Sequence, residues 1–143
     1  MFPPLDRYAR EEDAHDAAYD LFGKGRDLME IGRFEEAINH LECSWRVSAH
    51  FKTAELLGRC YARLGVNGRA LEWFGKGLEE NPRWQGLYRL RAGVHERMGA
   101  IEEAIRDYEV VVSLTPHDKG SREALTRLRA MVKRDSDAQG GSE

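Results

Sequence analysis

The residues of this chain with side chains able to do chemistry are five histidines, two cysteines, a few serines and an arginine-rich set of cations. His15, His40, His50, His95 and His117 show neither an HExxH pattern nor a paired metal-ligand spacing. Cys43 and Cys60 stand 17 residues apart outside any CxxC motif. They predict reduced packing residues, with a disulfide or a reactive thiol as the alternatives. Gly23-Lys24-Gly25 and Gly75-Lys76-Gly77 look like phosphate loops only superficially. Both fall inside predicted helices, and neither has the glycine spacing or the Ser/Thr after lysine that a P-loop needs. Ser44 and Ser48 have no triad partners visible in the sequence. These readings predict no enzyme, no metal and no cofactor. The chemistry that remains is recognition: guanidinium groups hold carboxylates through paired hydrogen bonds.

The 143 residues carry 22 Lys+Arg against 25 Asp+Glu, a formal net charge of -3 that opposes nucleic-acid binding. Met1 to Arg10 contains no apolar run of signal-peptide type, and no later run could span a bilayer. The expectation is a soluble cytoplasmic protein of one domain.

Helices must position these side chains, and their order repeats. Gly65, Ala70, Phe74, Gly77 and Pro82 recur 34 residues later as Gly99, Ala104, Tyr108, Val111 and Pro116. Gly32, Ala37, Leu41 and Ser44 stand 33 residues before the first four. A fixed period of this size marks a repeat protein. Apolar spacing predicts helices over about 13–30, 34–48, 51–64, 67–80, 84–98, 101–114 and 118–133. Gly32 closes the first helix, and Pro82 blocks the fourth. Ser48-Ala49-His50, one residue short and without a proline, is the least defined link.

Gly58 should let a partner helix approach closely, with Ala70 facing it and Tyr61 filling the adjacent gap. His95 falls in the aromatic slot of the third unit, as a hydrogen-bonded core or groove histidine. Trp73 cannot face the same way as Phe74, which leaves inter-repeat packing, or a convex surface open to a second interface or a dimer. Trp84 belongs at a helix junction. Asp118 is the N-cap of the last helix, with Ser121 as a later start. That helix caps the stack, or serves as a basic partner-binding helix. Residues 1–12 read as a lead-in. Asp6, Glu11, Glu12, Asp13, Asp16 and Asp20 make the start acidic, either as a solvated face or as an arm over a basic groove. Residues 135–143 read as a polar, disordered tail.

Leu57-Gly58, Tyr61, Gly65, Ala70, Phe74 and Pro82 resemble the tetratricopeptide repeat (TPR). The third unit departs from that pattern with Arg91-Ala92 and His95, and the first with Leu28 in the aromatic slot. The resemblance implies an all-α, right-handed superhelix of three helix pairs with a C-terminal capping helix. Units would cover about 18–50, 51–84 and 85–118, with the cap at 118–134 and the whole domain at 13–134. It also implies a concave groove lined by the first helix of each unit, holding a peptide or protein segment.

Side chains offset from the packing stripe would line that groove. They are Tyr19, Phe22, Arg26 and Met29 in the first unit, Lys52, Glu55, Arg59 and Arg63 in the second, and Gly86, Arg89, Glu96 and Arg97 in the third. The partner-binding set is Tyr19, Phe22, Arg26, Lys52, Arg59, Arg63, Arg89 and Arg97. The aromatics would anchor an apolar side chain and the cations a carboxylate, at a chain terminus in one version. The chaperone-tail clamp of the family is absent, since its places in the first two units carry Phe22, Arg26 and Leu56. The function expected is a non-catalytic protein-interaction module. A self-assembling scaffold, dimerising through the cap or convex surface, and a small secretion-type chaperone are the alternatives.

Overall fold

The computed structural model describes residues 11–140. They form seven helices: α1 (Glu11–Glu30), α2 (Phe34–Val47), α3 (Phe51–Arg63), α4 (Asn67–Glu80), α5 (Gln85–Arg97), α6 (Ile101–Leu114) and α7 (Lys119–Gly140). Contacts divide the chain into two compact units, which meet in sequence at Pro82 and Arg83. The first holds α1–α4 and the second α5–α7. Helices pair α1 with α2, α3 with α4 and α5 with α6, while α2 packs on α3 and α6 on α7.

The turn inside each pair is built the same way. Gly32, Gly65 and Gly99 have φ of 82°, 77° and 77°. This left-handed geometry costs a residue with a Cβ and suits glycine. In the second turn Val66 N–H donates to Tyr61 C=O at 2.9 Å and Gly65 N–H to Ala62 C=O at 3.1 Å. Arg33 to Leu28 and Ala100 to His95 repeat the longer bond at 2.9 and 2.8 Å. The pattern is the Schellman closure, which satisfies carbonyls that a helix end leaves open.

The link without a proline has its own device. His50 is the N-cap of α3, and its Nδ1 accepts from Lys52 N–H at 3.2 Å. At the other end of the array Asp118 caps α7, accepting from Ser121 N–H at 3.3 Å and from Ser121 Oγ at 3.2 Å.

Ala37, Ile38, Leu41, Ala54, Leu56, Leu57, Cys60 and Trp73 form the core of the first unit. Gly58 packs under Phe74: a Cβ on Gly58 would lie 2.3 Å from the Phe74 ring. At Gly25 the equivalent Cβ would meet Leu41 at 2.5 Å and the Ala37 carbonyl oxygen at 3.3 Å. Ala70 is fully buried in α4, one turn before Phe74. Tyr61 is half-buried against the core, and its hydroxyl donates to Glu42 at 3.0 Å. Trp73 is 7% exposed and meets Trp45 edge-on, ring centres 5.3 Å apart, with Lys76 Nζ 4.2 Å above its ring. It packs α4 on α2, which removes it as a convex contact surface.

In the second unit Ala92, Ala104, Tyr108, Ala124, Leu125 and Leu128 form the core. Trp84 occupies the N-cap position of α5. Helix α7 runs to Gly140, so residues 135–140 are helical where composition predicts a disordered tail. No glycine or proline interrupts Ser121 to Gln139, and nothing local stops the helix before Gly140. Of the expected lead-in at 1–12, residues 11 and 12 already belong to α1, and residues 1–10, like 141–143, lie outside the described residues.

Cys43 and Cys60 are free and buried. Burial raises the Cys60 thiol to about 11, against a small opposing effect of the Arg59 charge. Native protein at neutral pH is therefore expected to leave Cys60 unalkylated by iodoacetamide, with rapid labelling only in denaturant. Fast native labelling, read by mass spectrometry of the Cys60 peptide, would show that this core opens.

Candidate functional site

Helices α1 and α3 of the first unit bring three of the predicted residues to one hollow. Tyr19, Phe22 and Lys52 line an open cavity of about 310 Å³ together with His15, Ala18, Ser44, Ser48, His50 and Thr53. The spacing 15, 18, 19, 22 is one face of α1. Tyr19 is 70% exposed, the most exposed large hydrophobic residue described. Phe22 is half-buried and packs against the core with its inner edge. The floor is closed by Ser44, whose Oγ donates to Ala18 C=O at 2.7 Å. At the rim His50 stacks on Phe51 with ring centres 4.6 Å apart, and Lys52 Nζ sits 5.7 Å from that ring.

The remaining cations divide. Arg26 is exposed on α1 with Asp27 at 3.7 Å. Arg59 is exposed on α3. Arg63 lies 5.1 Å over the Phe34 ring, at the turn between α3 and α4. In the second unit Arg89 is committed to Asp118: its Nε donates at 2.9 Å, and its terminal nitrogen makes a second, closer bond. Burial alone would raise the Asp118 carboxyl, but the bonds from Arg89 and Ser121 outweigh it and hold its pKa below the usual value. Arg97 is exposed in the last turn of α5. Leu56, at one of the clamp positions, is 7% exposed and belongs to the core.

The second unit also contains a polar cluster that the sequence does not announce. Asp107 is buried, and Arg91 donates to both its oxygens, at 2.9 and 2.8 Å. His95 Nε2 stands 3.8 Å from the same carboxylate, near it but beyond hydrogen-bond distance. Hydrogen bonding to Asp107 raises the Arg91 pKa. Beside it the Tyr108 hydroxyl donates to Glu96 at 2.8 Å, and Arg127 donates to both Glu96 oxygens. Burial, then the Glu96 carboxylate, push Tyr108 up to about 12. Arg91 and Asp107 occupy the places of Leu57 and Trp73, 34 residues earlier. That double departure from an apolar pattern is the only signal available in the sequence.

Among the described residues no group of three or more His, Cys, Asp or Glu could hold a metal ion. No helix among them is long and apolar enough to cross a membrane.

Comparison with known proteins bears on the architecture. No protein-family model matches the chain. Human serine/threonine-protein phosphatase 5 is 31% identical over 134 residues, 92% of this chain and 25% of that protein. Human protein O-mannosyl-transferase TMTC1 is 31% identical over 83 residues, 58% of this chain and 9% of that protein. The chain thus spans a quarter or less of either relative. Solved structures agree over more of their length. The first TPR of Spaghetti (RPAP3), bound to the HSP90 peptide SRMEEVD, superposes with a TM-score of 0.79 at 21% identity, covering 82% of this chain and 94% of that one. The Arabidopsis OM64 TPR domain gives 0.77 at 19% identity over 82% and 98%. The C-terminal TPR-containing domain of a Plasmodium falciparum putative FK506-binding protein gives 0.78 at 16% over 94% and 99%. With three helix pairs, a C-terminal helix and glycine-closed turns in register, this chain has the tetratricopeptide-repeat fold.

Proposed function

We propose that the chain is a non-catalytic protein-interaction module that holds a peptide or protein segment on the α1/α3 face of its first unit. The observation that carries this reading is the hollow between those helices, with an exposed tyrosine beside it. Apolar concavities with a few polar groups at the edge are where ligands bind. The first RPAP3 domain binds an HSP90 peptide, and the second, a further match in fold, binds the HSP70 peptide SGPTIEEVD. Both peptides end in acidic residues, and this kinship supports a peptide ligand here.

Preference for an acidic ligand rests on Arg26, Lys52 and Arg59. Arg63 and Arg89 contribute less, because one covers Phe34 and the other holds Asp118. The chaperone-tail clamp gains no support, since Leu56 offers its place no donor. A cytoplasmic setting suits two buried free thiols.

The test is capture of partners by wild type beside Arg59→Glu, followed by affinity measurement on the partner obtained. Arg59→Glu changes an exposed residue, whereas reversing Arg89 would also disturb the cap of α7. At least about a tenfold loss of affinity is expected, as for removal of one charge-assisted contact. Unchanged affinity would remove the acidic-ligand preference. A partner mapped to a surface away from α1 and α3 would remove the reading itself.

A further inference from the structure

The polar atoms of the hollow say more about its ligand than its charge does. Its buried Ser44 hydroxyl donates to Ala18 C=O at 2.7 Å, so that proton is turned into the protein. Thr53 is buried, and its N–H donates to His50 C=O at 3.0 Å. Ala18 and Phe22 complete the inner wall with carbon. A carboxylate placed on this floor would lose its water and find few donors, and an unpaired buried charge is costly. An apolar group placed there loses nothing and is removed from water.

The rim is different. His50 Nδ1 accepts from Lys52 N–H, so the proton of a neutral His50 ring lies on Nε2, which remains a donor. Lys52 adds a cation at the same edge. Tyr19, 70% exposed, lines the hollow from α1 and offers a ring face and a hydroxyl. At about 310 Å³ the space is near the lower end of ligand pockets, roughly 300–1,000 Å³. It suits one large side chain and not a whole helix.

We propose that this hollow is an anchor pocket for a single large apolar side chain from the interior of a peptide segment, with an acidic residue beside it read by Lys52 and His50. The proposal rests on the peptide-binding reading above and specifies its ligand. A ligand of this kind is recognised by an inserted side chain, so a free chain end contributes nothing.

Three probe peptides test it: acetyl-Asp-Glu-Ser-Phe-Ser-Glu-Asp-amide, the same peptide with alanine for phenylalanine, and the phenylalanine peptide with a free C-terminal carboxylate. Each is titrated into the 15N-labelled chain. The phenylalanine probe is expected to shift the amides of Ala18, Phe22, Ser48 and Thr53 and to bind at least about tenfold tighter than the alanine probe. Freeing the terminus should leave its affinity unchanged. Tyr19→Ala, a change at an exposed site, should weaken the phenylalanine probe, and Ser48→Trp, which fills the hollow from its edge, should abolish that binding. Unchanged helicity would show that both variants fold.

Equal binding of the phenylalanine and alanine probes on α1 and α3 would overturn the anchor and leave the peptide-binding reading standing. A response confined to other helices would overturn both. Tighter binding of the free-carboxylate probe would replace the side-chain anchor with a terminus site. No response at the hollow even at millimolar phenylalanine probe also overturns the proposal.

Discussion

Arg91→Ala is expected to destabilise the second unit by about 3–5 kcal/mol, the usual cost of leaving one partner of a buried ion pair alone. The Asp107 side chain is only 7% exposed and takes both its strong hydrogen bonds from that guanidinium. His95, at 3.8 Å, is too far to replace them. The pair itself need not be a net gain over hydrocarbon, because two charges must first be taken out of water. The chain supplies its own comparison in Leu57 and Trp73, which share one apolar core. Arg91→Leu combined with Asp107→Trp is therefore expected to recover most of the loss. Urea unfolding followed by helicity measures all three proteins. An alanine variant with the wild-type midpoint would show that the freed carboxylate reaches water.

The second large effect is at Gly58. The fully buried Phe74 ring occupies the space where a Cβ would sit, so Gly58→Ala must push that ring off its seat. Overpacking of this kind costs about 1–3 kcal/mol, partly offset by about 1 kcal/mol of better helix propensity. Phe74→Ala, which empties the seat, is expected to cost about 3–5 kcal/mol. Gly75→Ala is the control. It lies in α4 with nothing within 4 Å of its Cβ position and should stabilise by up to about 1 kcal/mol. Thermal and urea midpoints decide the signs. A stabilised Gly58→Ala would mean that Phe74 has another rotamer available.

Helix pairing was legible in the sequence because its causes are local. Gly32, Gly65 and Gly99 recur at a fixed interval, and each closes a helix within five residues of itself. The bounds of α4 and α6 follow from such signals. What escaped depends on partners far along the chain. Gly58 could be recognised as a close-approach residue, but the seating of the Phe74 ring over it is set by how α3 and α4 cross.

Arg89 looks like a free groove cation until Asp118, 29 residues on, comes beside it. The hollow was half legible. Tyr19, Phe22 and Lys52 follow from helix faces, whereas Ser48 and His50 belong to a link with no repeat signal. His50 reaches the rim because it caps α3, the place that Trp84 holds at α5 and Asp118 at α7.

A chain of similar helix pairs offers several wrong ways to pair, since α3 and α5 have the same length and α4 and α6 share theirs. Arg91 and Asp107 make two of these helices non-interchangeable. If α5 met α4, a guanidinium would be pressed against Trp73 with no carboxylate. If α3 met α6, Asp107 would be buried against Leu57 with no cation. Either exchange strands a charge, and either is penalised while the correct pairing is not. The ion pair thus serves as a key that matches each helix to its own mate as the chain collapses.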